Sequence, residues 1–411
     1  MNQILRADAE AIARAAIAAV KPDEAVYRCL TGRAFPGRVF LVAAGKAAWQ
    51  MAAAALRCLP VSPAGGVVVT KYGHVPGPLP GVTCYEAGHP VPDENSFRGT
   101  QAALDLTADL LPSDTVLFLL SGGGSALFEK PLVPPEELQS ITRQLLERGA
   151  EITQINTIRK RLSQVKGGRF AQWCSPAQVL SVVLSDVLGD PLDMIASGPA
   201  AADRSTCAQA QTIAAQYDLT LSAQARQCLA EETPKVLDNV ESQIIGSVRE
   251  LCRAAADAAR QLGYDPVYLT DQLTCEARDA GSFLASILRS QSGSGKKLAY
   301  LAGGETVVHV TGSGLGGRNQ ELALGAAEGL AGLKDACVIS VGSDGTDGPT
   351  DAAGGYADGE TRSRLEAAGL RLHQVLADND AYHALDAIGG LIRTGPTGTN
   401  VNDVAIGLLR G

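Results

Sequence analysis

The sequence predicts a two-domain α/β protein built around largely parallel sheet. Three observations predict this. At 411 residues the chain is too long for one ordinary core. Short β-rich runs alternate with long Ala/Leu-rich helical stretches, the pattern of βα units. Most of the β-rich runs are continuously apolar, as strands buried on both faces must be.

The elements follow in order. The opening stretch IARAAIAAV comes after Asp8 and Glu10. A secretory leader needs a basic flank there, so the stretch reads as an amphipathic helix. Strands are expected at Arg38 to Ala44, Gly66 to Thr70, Thr115 to Leu120 and Gln178 to Ser185. Glu231 to Gln243 is polar and contains a proline; a boundary placed there divides the chain into domains 1–238 and 239–411. A helix through VRELCRAAADAARQL then stops at Gly263, a residue suited to the left-handed position after a helix. Further strands are expected at Pro266 to Thr270, Lys297 to Ala302, Thr306 to Val310 and Cys337 to Gly342, with SQSGSGKK as a flexible loop.

Composition excludes several function classes. Hydrophobic residues make up 45% and charged residues 19%, the balance of a soluble globular protein. The net charge is −9, and no basic run is long enough to make a nucleic-acid-binding face. The densest basic cluster, Arg159, Lys160, Arg161, Lys166 and Arg169, has helical spacing. It reads as a solvated face, or as an aid in holding an anionic ligand. Nine scattered cysteines without a CxxC pair fit a reducing cytoplasm and no zinc site. The five histidines show no metal-ligand spacing, and none sits in a glycine-loop motif. No apolar run reaches the roughly 20 residues that span a membrane. Oligomeric state is not legible, and a homo-oligomer stays open.

Two glycine-rich loops of opposite charge carry most of the chemistry. VTGSGLGGRNQELAL places Arg318 where a helix should begin; SVGSDGTDGPTDAAGG holds Asp344, Asp347 and Asp351. A cation on a glycine loop suits phosphate, and carboxylates on the next loop suit Mg²⁺, so the pair points to phosphoryl transfer on a small molecule. In VAAGKAAW, Gly45 makes a turn after a strand and Lys46 opens a helix, whose N-terminus favours an anion; the plain alternative is a surface lysine after a tight turn. FLLSGGGSALF offers Ser121, Gly122, Gly123, Gly124 and Ser125 to wrap an oxygen-rich group, or merely a tight turn. It is neither a P-loop nor a complete GxSxG elbow. In VLSDVLGDPLDMIASGP, Asp186 follows a strand directly, where α/β sheets place ligand groups, and Asp190 and Asp193 follow; one of these is a candidate general base or metal ligand, or they are turn chemistry. GSGLGGR contains GxGxxG, but the acid that a dinucleotide site needs at the end of the next strand is missing. Gly316, Gly317 and Asn319 are therefore read as a phosphate loop with Arg318 as its cation. GPTGTNVNDV supplies Thr397, Thr399, Asn400, Asn402 and Asp403 to grip a hydroxy acid or ribose, or forms a polar turn.

Taken together, AAGKAAW, LLSGGGSALF, NTIRKRLSQVKGGR, LSDVLGDPLDMIASGP, LAGGETVVHVTGSGLGGRNQELAL, GSDGTDGPTDAAGG and TGPTGTNVNDV resemble the glycerate 2-kinase family, whose C-terminal part is the MOFRL domain. The resemblance runs from Ala43 to Val404. It implies a Rossmann-like N-terminal domain, a smaller α/β C-terminal domain and an active-site cleft between them. It implies Mg²⁺-dependent transfer of the ATP γ-phosphoryl group to the 2-hydroxyl of D-glycerate, with Lys46 and Arg318 as the catalytic cations. Asp186 is then the expected proton acceptor, and Asp344 and Asp347 the expected Mg²⁺ ligands. Some relatives carry the label hydroxypyruvate reductase, so an NAD(P)H-dependent reductase is the second function. A non-catalytic small-anion-binding module is the third.

Overall fold

The computed structural model describes residues 2–411. The chain forms two compact units. Pro22–Ile245 makes the first; Gly246–Gly411 makes the second together with the N-terminal segment through Lys21. The observed division thus lies seven residues beyond the expected 238/239. The N-terminal helix Gln3–Ala19 packs on helix Val248–Gln261 of the second unit. Its buried stripe of Leu5, Ala9, Ile12, Ala13, Ala16 and Ile17 recurs at helical spacing and needs an apolar partner. Tyr264 donates to Asp8 within the helix at 2.7 Å and Thr399 to the Val20 carbonyl just past its end at 2.9 Å, pinning that segment.

In the first unit, six strands form one sheet: β1 Val39–Ala44, β2 Gly65–Lys71, β3 Val82–Ala87, β4 Thr115–Leu120, β5 Gln178–Leu184 and β6 Val240–Gly246. Their order is β3-β2-β1-β4-β5-β6, and β3 through β5 pair in parallel. All six residues of β1 and of β4 are buried, which accounts for their unbroken apolar sequence. Phe118, Phe128 and Phe170 meet in the core with ring centroids 4.9–5.4 Å apart. Each such ring contributes about 1.5–3 kcal/mol by burial alone. The strand order reverses between β1 and β4, so the turns leaving these two strands lie side by side.

The second unit holds β7 Asp265–Leu273, β8 Leu298–Gly304, β9 Ala336–Gly342, β10 Gly354–Asp358, β11 Leu391–Ile392 and β12 Asp403–Leu409. The order is β11-β10-β9-β12-β8-β7. Only β7 and β8 pair in parallel; every other pair is antiparallel. The expectation of largely parallel sheet therefore holds in the first unit and fails here. Here β12 enters between β8 and β9 in the opposite direction, and β10 runs against both β9 and β11.

Three local expectations are corrected. No strand forms at Thr306 to Val310: β8 ends at Gly304, and Val307 and Val310 are exposed. Lys46 does not open a helix, which starts two residues later as Ala48–Cys58. The basic cluster is no solvated face. Lys160 bonds Asp193 and Asp203 at 3.2 and 3.1 Å, buried Arg161 pairs with Asp203, and fully buried Lys166 faces Glu129 at 3.5 Å. Burial pushes the Lys166 amine down to about 8, opposed by the Glu129 carboxylate.

Candidate functional site

In the first unit the chemistry gathers where β1 and β4 end. Gly45 has φ +124°, and a Cβ there would lie 2.2 Å from the Ser121 hydroxyl, so only glycine fits. The two turns are stitched together: the Lys46 N–H donates to the Gly122 carbonyl at 2.9 Å, and the Ala47 N–H to the Ser121 hydroxyl at 3.0 Å. Ser121 thus serves as a tether between loops. A Cβ on Gly122 would sit 2.1 Å from an Asp186 carboxylate oxygen, which brings Asp186 directly onto the glycine run. A Cβ on Gly123 would meet the His89 ring at 3.0 Å and the Lys46 side chain at 3.2 Å. Gly124 packs on Ala196, and the Ser125 hydroxyl pairs with that of Ser197 at 3.2 Å, which in turn donates to Asn156 at 3.0 Å. Arg159 donates to the Ser125 carbonyl at 3.2 Å.

Lys46 is half-buried, and among the described residues its ammonium has no carboxylate partner. His74 contacts the Lys46 carbonyl through Nδ1 at 3.0 Å. The fold thus brings together Lys46, Gly122, Gly123 and Asp186, and adds His89, His74 and Arg159, which the sequence did not single out for this site. No signal near His89 in the sequence marks it. It follows β3, whose partly exposed VTCYEA does not read as a core strand.

The second unit gathers its groups through strand direction. β12 runs antiparallel to both neighbours, so Asp403 at its start faces Gly304 and Gly342 at the ends of β8 and β9. Arg318 opens helix Arg318–Leu330 and reaches the same edge. Its guanidinium holds Asp403 with both forks, Nε to Oδ2 at 2.5 Å and Nη2 to Oδ1 at 3.1 Å, and holds Glu305 through Nη1 at 3.0 Å. About a third of the Arg318 side chain remains exposed. Burial raises the Asp403 carboxyl above its ordinary range, and Arg318 pulls it back.

Asp347 is buried beneath the helix start. Oδ1 accepts the Asn319 N–H at 3.1 Å and its side-chain amide at 3.2 Å; Oδ2 accepts the Gln320 N–H at 2.9 Å. Burial pushes this carboxyl up to about 6, and the N–H donors oppose the rise. A Cβ on Gly317 would lie 2.3 Å from the Asp347 carboxyl carbon, so the glycine admits the carboxylate to the helix end. Gly316 lies against Gly348, whose own Cβ would strike the Gly316 carbonyl at 2.3 Å. Asp344 differs: one oxygen accepts the Thr346 N–H at 2.9 Å. It shares the approach to Gly342 with Asp403, each having an oxygen 3.4 Å from the point where a Cβ would stand. Among the described residues no three His, Cys, Asp or Glu side chains form a ready metal cluster. Of Asp344 and Asp403, Asp344 has a carboxylate of the hard-oxygen kind that Mg²⁺ takes with water and substrate phosphate, while both Asp403 oxygens are held by Arg318. Thr399 is spent on the Val20 carbonyl, while Asn400 lies half-buried beside it.

Comparison with known proteins covers both units. Residues 8–230 match the profile described as Domain of unknown function (DUF4147), and residues 298–403 match that of the MOFRL family. Over 404 residues the chain is 52% identical to a D-glycerate 2-kinase of Thermotoga maritima, covering 97% of each chain. The chain belongs to the glycerate 2-kinase family. A crystal structure of glycerate kinase from Thermotoga maritima matches with a TM-score of 0.96 at 51% identity, covering 99% of this chain and 100% of that one. Another member of the family's sequence neighbourhood, from Agrobacterium vitis, is 39% identical over 401 residues, covering 95% and 91%, and is named a putative hydroxypyruvate reductase.

Proposed function

We infer that this protein is a D-glycerate 2-kinase, which transfers the γ-phosphoryl group of ATP to the 2-hydroxyl of D-glycerate and releases ADP and 2-phospho-D-glycerate. The observation that carries this is the 52% identity to a D-glycerate 2-kinase along nearly the whole of both chains. The Rossmann-like reading of the first unit is supported by its order β3-β2-β1-β4-β5-β6 with β1 through β5 parallel.

Phosphoryl transfer asks a protein mainly for positioning and for neutralisation of spread negative charge. Lys46, with no carboxylate of its own, supplies a mobile point charge for the transferred group. Arg318, fixed in a planar fork by Asp403, presents its remaining N–H bonds to a phosphoryl or carboxylate group. Asp186 accepts the proton of the glycerate hydroxyl, a role supported by its carboxylate lying against Gly122. Gly45 and the run from Ser121 to Ser125 bring backbone close to the substrate, as do Gly316, Gly317 and Asn319; Thr399 and Asn400 line the polar turn before β12. Mg²⁺, when bound, neutralises the β- and γ-phosphates. Asp344 is the better suited of the two proposed ligands, since three N–H donors already fill the Asp347 oxygens. Nine cysteines, all free, support a cytoplasmic home.

The reductase reading draws only on the name of the Agrobacterium relative. Glycerate with Mg·ATP, followed for ADP release, beside hydroxypyruvate with NADH, followed for loss of absorbance, tests the assignment. ADP release that depends on glycerate is expected. NADH consumption without it overturns the reading.

A further inference from the structure

We propose that His89 is a substrate-contacting residue of the site around Lys46, its imidazole giving a hydrogen bond to an anionic substrate oxygen held over Gly123. The proposal rests on the kinase reading above and adds to it a residue that neither the motifs nor the relatives' names assign.

Four observations support it. First, topology: β2 pairs with β3 in parallel with Lys71 opposite Ala87, so His89, two residues beyond β3, emerges at the same sheet edge as the turns after β1 and β4. Second, convergence. The His89 ring carbon Cδ2 and nitrogen Nε2 stand 3.0 and 3.1 Å from the point where a Cβ on Gly123 would be, and the Lys46 side chain stands 3.2 Å from it. Gly123 has φ +86°, a second reason for glycine, and its missing side chain leaves ring and lysine stem flanking one small space. Third, among the described residues neither ring nitrogen of His89 has a hydrogen-bond partner, although the ring is half-buried; His74 nearby has its Nδ1 on the Lys46 carbonyl. A half-buried polar ring with both nitrogens unused is a group kept for something else.

Fourth, charge. The groups facing His89 are Lys46, Lys71 and His74, all positive or neutral. Of the acids on neighbouring elements, Glu86 accepts the N–H groups of His74 and Val75, Asp93 accepts from Tyr72 and Ser96, and Asp186 lies on Gly122, beside the Gly123 that meets the ring. Burial first, and then these cations, hold the imidazole below its ordinary titration range, so at neutral pH it is an uncharged donor. Lys46, which among the described residues pairs with no carboxylate, stands beside an N–H donor and flexible glycine backbone with Asp186 on the neighbouring Gly122, an arrangement that fits an anionic oxygen on the lysine and imidazole side. Both a nucleotide phosphate and the glycerate carboxylate carry one.

The test uses the full-length enzyme and the variants His89→Ala and His89→Gln, with separate titrations of glycerate and Mg·ATP. A hydrogen bond to a charged group is lost in the alanine variant, so kcat/KM should fall about tenfold to a hundredfold. Glutamine, whose amide still donates, should recover part of it. A rise in KM for Mg·ATP alone assigns the contact to phosphate, and one for glycerate alone assigns it to the carboxylate. Independently of turnover, the His89 ring resonances should shift on adding Mg·ADP or glycerate, a readout that survives if the alanine variant folds poorly. Variants within twofold of wild type, or ring resonances unmoved by both ligands, overturn the proposal. Absence of glycerate-dependent ADP release in the wild type would instead overturn the kinase reading, with His89 still testable by its ring shifts.

Discussion

Replacing Asp347 with alanine strips three N–H donors of their acceptor, two of them backbone groups at the start of the helix that carries Arg318. A buried donor left without a partner costs about 1–3 kcal/mol. Three such losses come to roughly 6 kcal/mol at the middle of that range. Against this stands relief from burying a carboxylate. Its carboxyl is raised from 3.8 to about 6, and at about 1.4 kcal/mol for each pH unit the relief is roughly 3 kcal/mol at pH 7. The net cost is therefore about 3 kcal/mol, or a fall of roughly 6–12 °C in the melting transition of the second unit. The sign with pH follows from the raised value. Above about 6 the folded protein carries an ionised, buried acid that the unfolded chain carries at no such cost. The contribution is favourable at low pH and is lost as pH rises from 3.8 through 6. Asp347→Asn, with no charge to bury, should compare better with wild type at pH 7 than at pH 5. Differential scanning calorimetry at both pH values reads this, and steady-state kinetics should show kcat/KM lowered through Arg318 with the Mg²⁺ dependence unchanged. An unaltered melting curve with a raised Mg²⁺ requirement would refute the reasoning and make Asp347 a metal ligand.

Arg318→Lys should lower kcat/KM roughly a hundredfold, because an ammonium cannot hold Asp403 with two parallel bonds and present further donors; activity within threefold of wild type would dismiss the planar fork. Gly122→Ala places a methyl 2.1 Å from the Asp186 carboxylate; displacing that acid by about 1 Å should cost around a hundredfold in kcat with a much smaller effect on KM, and an unchanged kcat would remove Asp186 from the mechanism. Glu129→Ala leaves the Lys166 amine buried without its counter-ion and should destabilise the first unit by about 3–5 kcal/mol, read as a lower denaturant midpoint; an unchanged midpoint would show that the pair is dispensable.

Much of this was legible because burial on both faces writes itself into sequence. VFLVAA and TVLFLL are apolar throughout and became the central strands β1 and β4. The glycine motifs were legible because glycine is tolerated at such cost only where something must come close, and at Gly122 and Gly317 that something is a carboxylate. Edge strands were not: β3 and β6 mix exposed and buried residues, so their runs break. Nor was strand direction, since an apolar run reads alike in either sense; β12 runs against its neighbours, and this alone places Asp403 on Arg318. His89 was hidden for a related reason, being brought to Lys46 by the pairing of β2 and β3 rather than by anything adjacent to it. The basic run around Lys160 misled because spacing reports which side chains share a helix face and is silent on the acids, Asp193 and Asp203, that come from far along the chain.

The seven residues of β12 follow every other strand of their sheet along the chain, yet they lie in its middle. Until they emerge, β8 and β9 each expose a bare row of amides and carbonyls, an invitation to neighbouring nascent chains. A stop codon shortly before Asp403 would therefore do more harm than the loss of one strand suggests. It would leave two sticky borders and remove the carboxylate that aims Arg318, so such a truncated product should be found in inclusion bodies rather than as a weakened enzyme.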